Sequence, residues 1–200
     1  MTINEIIIFS KIFASVSGDR AVTDTEKKMA TDVLNDNKST VKDMYDLACA
    51  FMNAGEVNFI EGKIANRSRY QNVSGVVNLA FACELFLKLL LTGVQYDSKN
   101  HKLNELWKVL DSNHHDIADT IKNDVSNKLS SDMTFEKMLE DDSNVFYNFR
   151  YFYETETMKK IHNHPLRPQF LRCFCFSLNR ICNQLIREIE GSNKDGGTTP

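Results

Sequence analysis

Val76-Val-Asn-Leu-Ala-Phe-Ala-Cys-Glu-Leu-Phe-Leu-Lys-Leu-Leu-Leu-Thr-Gly93 is the stretch on which the reading of this chain turns. It is apolar on almost every side, interrupted by Asn78, Glu84 and Lys88. A helix of that kind has to be wrapped by other elements. Crossing a bilayer takes about 20 uninterrupted apolar residues. This run is shorter and carries two charges, so it is read as a central core helix and no membrane contact is expected. Glu84 and Lys88 are four apart, acid before base, and so lie on one stripe of the helix. Charges on a largely buried helix are costly unless paired or used. The stripe is therefore either an ion pair at the rim of the core or one wall of a polar pocket.

Working outward, composition favours an all-α chain. In 200 residues there are eight Gly and three Pro, and β-type alternation is scarce. That length buries a core without disulfides or metal. The five cysteines, Cys49, Cys83, Cys173, Cys175 and Cys182, form no framework and read as reduced core residues. Cys173 and Cys175 point to different sides of a predicted helix, so no metal site and no cofactor is expected. Net charge is −3, but it is unevenly spread. Nine acids face three lysines between Asp111 and Asp142, whereas 157–187 holds six Lys or Arg, two His and no acid. The two segments either pair with each other or leave the basic one, with Arg167 and Arg172, for an acidic or phosphate-bearing partner.

In chain order, Thr2 to Glu5 and Thr23 to Glu26 have the form of capping boxes that open short N-terminal helices. The second is expected to run to Leu34, with 35–40 as a polar connection. A long helix follows from Val41 to about Asn66, bent or broken near Gly55 and Gly62. After the central helix come a polar loop, a short helix at 101–110 and a helix capped by Ser112 or Asn113 that carries Ile117, Ile121 and Val125. Residues 133–142 read as irregular. An aromatic stretch from Asn144 to Glu154 places Arg150 and Glu154 on one stripe, and a linker with His162 and His164 leads to a last helix over 168–190. The expected organisation is a helical appendage over 1–40, a bundle over 41–190 and a disordered tail over 191–200. The N-terminus shows no secretory pattern, and a cytoplasmic location is expected.

Three pieces in this order carry a resemblance: Leu79-Ala-Phe-Ala-Cys-Glu-Leu-Phe-Leu-Lys-Leu-Leu-Leu91, His101-Lys-Leu-Asn-Glu-Leu-Trp107 and Phe149-Arg-Tyr-Phe-Tyr-Glu154. Together they resemble proteins of the HEPN superfamily, with an apolar helix containing Glu-Leu-x-Leu-Lys, a His-x-Leu-x-x-Leu segment and an aromatic Arg-Tyr-x-Tyr-Glu stretch. The resemblance implies a four- to five-helix up-and-down bundle, here with short extra N-terminal helices. Such bundles are often dimeric and occur in toxin–antitoxin, antiphage and RNA-processing systems. Many are metal-independent ribonucleases in which Arg and His, four to six residues apart, meet at the dimer seam. None of the eight Arg residues here is followed by His at that spacing. The expected function is therefore a non-nuclease binding protein of a defence, toxin–antitoxin or immunity system, a homodimer that takes a protein, nucleotide or RNA partner. The carried-over set is Glu84, Lys88, His101, Arg150, Tyr151 and Glu154, with His164, Arg167 and Arg172 as further binding candidates. The alternatives are a divergent endoribonuclease using Arg150 with Glu154 and His162 or His164, and a helical scaffold assembled through its charge asymmetry.

Overall fold

The computed structural model describes residues 24–58, 69–143, 145 and 167–191, with the side chains of 41–58, 73–143, 145 and 167–188. The described residues form an all-α protein of six helices: α1 Asp24–Asn58, α2 Arg69–Leu90, α3 Leu103–Asn113, α4 His115–Lys128, α5 Phe135–Asp142 and α6 Pro168–Gly191.

The stretch 76–90 lies in α2, which packs against α1, α3 and α6. Leu79, Ala80, Ala82, Cys83, Phe86, Leu87, Leu89 and Leu90 are all buried. By length and composition Val73–Leu90 could cross a membrane, yet 61% of that window is buried inside the fold, as befits a core helix. Gly93 ends the run in the left-handed region, φ 99°, where a side chain would be strained.

α1 lies antiparallel to α2. Tyr45 meets Phe86, Phe51 meets Phe81 edge-on at 4.5 Å, and Gly55 lies against Leu79 and Gly75. No break occurs at Gly55. A methyl group there would lie 2.8 Å from Leu79 Cγ and 3.1 Å from the Gly75 carbonyl oxygen. The glycine thus lets two helices approach closely. α1 ends at Asn58, and the rest of the span expected to reach Asn66 falls outside the described residues.

Two further expectations are corrected. Residues 35–40 are not a connection but part of α1. Asn, Asp, Ser and Thr each cost only a few tenths of a kcal/mol in a helix, and no Gly or Pro interrupts the sequence from Asp24 to Ala54. Residues 135–142 are not irregular but form α5, opened by Thr134, whose hydroxyl accepts the Lys137 backbone N–H. Phe135, Met138, Leu139 and Asp142 form its buried face at helical spacing.

Ser112 and Asn113 do not cap α4. Their side chains donate back to the Lys108 and Val109 carbonyls of α3, and His114 stands at the junction between the two helices. Instead, the N-terminus of α3 is capped from afar. Ser143 Oγ accepts the Asn104 N–H at 3.1 Å and donates to Asn104 Oδ1, while the Ser143 carbonyl accepts the Leu103 N–H. Those otherwise unsatisfied donors are met by the residue just after α5.

α6 runs parallel to α2 and antiparallel to α1. Cys83 and Cys182 donate weakly to the Leu171 and Phe86 carbonyls, Tyr45 donates to Asn179 at 3.0 Å, and Arg172 grips Glu56 through two bonds of 2.8 and 2.7 Å. Trp107 of α3 closes the other side of the core against Phe135 and Phe174, with Phe170 alongside. All five cysteines are free, and Cys83, Cys175 and Cys182 are buried as core residues.

Candidate functional site

The site is built on one carboxylate. Glu84, in the middle of α2, is 1% exposed. Its Oε1 receives Lys88 Nζ at 2.9 Å, from one turn further along, and lies 2.8 Å from His101 Nδ1 on the approach to α3. Lys88 Nζ also donates to the Ser98 carbonyl at 3.0 Å. The loop from Leu91 to Lys102 is therefore tied back to the central helix at two points, Ser98 and His101. A carboxylate so deep in a core is tolerable because a cation meets it there.

Exposure rises outward across the cluster. The Glu84 side chain is 2% exposed, Lys88 12% and His101 49%. Solvent thus reaches the cluster through the imidazole. Tyr96, half-buried in the same loop, has its phenol pushed up first by burial and then by the Glu84 charge nearby. Around it the loop is fixed by local bonds, with Asn100 donating to Glu105 and accepting the Lys102 backbone N–H. Chemically, the arrangement anchors a loop and offers one accessible imidazole on a buried acid.

Of the residues expected at a site, Glu84, Lys88 and His101 come together. Arg167 and Arg172 are not part of that cluster's bonds and pair with different acids. Arg167 Nη2 holds Asp141 Oδ2 at 2.9 Å, and Arg172 holds Glu56. With the Arg180–Asp124 contact at 3.6 Å, two of the cations of the basic segment meet acids of the 111–142 segment. Arg150, Tyr151, Glu154, His162 and His164 lie outside the described residues. Among the described residues no group of His, Cys, Asp and Glu is placed to hold a metal ion.

Sequence reasoning passed over Tyr96 and the Ser98 carbonyl. A lone aromatic in a polar loop is a signal for the first, whereas a backbone carbonyl gives none. Compared with known proteins, the chain matches no family model, no curated protein and no solved structure.

Proposed function

We propose that this chain is a HEPN-like binding protein without nuclease activity. In this reading it is a cytoplasmic homodimer, serving a defence, toxin–antitoxin or immunity system by holding a protein, nucleotide or RNA partner. The observation that carries the reading is the meeting of two separated motif segments on Glu84: Lys88 from the apolar helix and His101 from the His-x-Leu-x-x-Leu segment. Lys88 and His101 share one buried oxygen, so the cluster supports a role in shaping a surface. Stabilising the charge of a phosphorane-like transition state needs a cation directed at the phosphate. Pairing of Arg167 and Arg180 with Asp141 and Asp124 weighs against a scaffold driven by unbalanced charge.

Two measurements test the proposal. Native mass and size-exclusion analysis should return a dimer or a partner complex, and a monomer that captures nothing at any concentration would refute it. Mixed RNA incubated with chelator should survive both the parent and Arg150→Ala. Chelator-resistant cleavage lost in Arg150→Ala would instead establish the ribonuclease alternative.

A further inference from the structure

Besides the ring contacts of Phe135 with Phe170 and Phe174, three ionisable residues lie where α5 meets the start of α6. Arg167, immediately before α6, gives Nη2 to Asp141, while its other amino nitrogen, Nη1, is buried with no acceptor among the described residues. Asp142, the last residue of α5, is 0% exposed, and neither of its oxygens has a hydrogen-bond donor among the described residues. Half of a bidentate fork and a whole carboxyl group are thus held near one another, both out of water and both unsatisfied. Such groups are costly to leave unmade. A guanidinium can serve two acids at once, because its five N–H groups are arranged as a fork.

We propose that Asp141, Asp142 and Arg167 form a proton-governed clasp between α5 and α6, in which Asp142 is the neutral acid in the arrangement described and, once ionised, draws in the idle amino group of Arg167. The proposal stands independently of the family reading. The groups facing Asp142 are Asp141 on its own helix, Arg167 at the head of α6 and the Cys83 thiol of α2. Burial, the largest influence, pushes the Asp142 carboxyl up to about 7, against the opposing pull of Arg167; the Asp141 charge adds to the rise. The Arg167 backbone N–H also favours the ionised form but lies outside hydrogen-bonding geometry. Asp141 does not titrate in that range. Asp141 is held below the usual carboxylate range, first by Lys137 and then, after opposing burial, by Arg167.

The reporters are already present. Trp107, the sole tryptophan, contacts Phe135 at 4.7 Å and Phe174 at 5.7 Å, so it senses both helices that carry the clasp. The full chain would be titrated from pH 4 to 9, following the assigned Asp142 carboxyl carbon, the Arg167 side-chain nitrogens and Trp107 fluorescence. The expected result is one midpoint near 7 common to all three signals. Asp142→Asn abolishes it, Arg167→Gln raises it and Asp141→Asn lowers it, shifts that a purely structural role would not produce. A carboxyl midpoint in the ordinary aspartate range overturns the proposal and requires no variant. A carboxyl that titrates near 7 while Arg167 and Trp107 stay unchanged overturns it too, since no recruitment accompanies ionisation. If Arg167→Gln fails to fold, the parent chain decides: Arg167 side-chain nitrogens that move with the Asp142 carboxyl midpoint support the clasp, and nitrogens that stay fixed through it refute it.

Discussion

Replacing Glu84 by Ala removes the partner of Lys88 and His101 while leaving the Lys88 ammonium only 12% exposed, with the Ser98 carbonyl as its remaining hydrogen-bond acceptor among the described residues. Breaking a buried ion pair from one side costs about 3–5 kcal/mol, because the surviving charge stays desolvated. The lower end applies here, since Lys88 keeps Ser98 and His101 is half exposed. We therefore expect a loss of about 3 kcal/mol, which for a chain of this size lowers Tm by roughly 6–12 °C. Urea unfolding at pH 7 would read the change as a lower midpoint with unchanged slope. Glu84→Gln, which keeps shape and an acceptor oxygen, should lose about half as much. The decisive comparison is Glu84→Met with Lys88→Met: removing both charges should return stability to within about 1 kcal/mol of the parent. If Glu84→Ala costs under about 1 kcal/mol, or the double replacement is as damaging as the single one, the carboxylate does not anchor the loop.

Other substitutions probe separate joints of the fold. Gly55→Ala should destabilise by about 1–2 kcal/mol in thermal unfolding. Overpacking against Leu79 and the Gly75 carbonyl exceeds the helix-propensity gain of about 1 kcal/mol. Ser143→Ala should cost about 1 kcal/mol by uncapping α3, visible as faster amide exchange at Leu103 and Asn104. For Asp142 the sign follows from linkage. Its carboxyl rises from 3.8 unfolded to about 7 folded, so the folded state binds the extra proton between those values. Stability is then fullest below about pH 4, declines up to about pH 7 and is flat above, a change on the order of 4 kcal/mol from this group. Asp142→Asn should remove that slope, as pH-dependent denaturation would show.

Local patterns in the sequence led directly to several of these features. An apolar run without breakers identified the central helix, and i,i+4 spacing put Glu84 beside Lys88. The last helix was legible from Leu171, Phe174, Leu178, Ile181 and Leu185, all buried. His101 entered through the motif resemblance, and its bond to Glu84 spans 17 residues. Failures came where tertiary context decides. Thr134 and the Phe135, Met138, Leu139 spacing did mark a helix over 135–142, but its abundant acids obscured the short apolar face. Asp142 and Ser143 look like exposed polar residues at a helix end. Only packing against distant parts of the chain buries them, and the Ser143 bond to Asn104 spans 39 residues. The polar run at 35–40 shows the opposite error, since hydrophilic residues do not stop a helix unless a breaker accompanies them.

The enclosure of α2 has a kinetic consequence. Its peptide hydrogens lie under α1, α3 and α6, so fraying of any single neighbour leaves most of them shielded. Deuterium should enter the middle of this helix only when the entire fold comes apart, while shorter segments such as α5 exchange through partial openings of lower free energy. The slowest protons in the molecule would thereby measure its global stability, and the spread between these two regions would measure how cooperatively it is assembled.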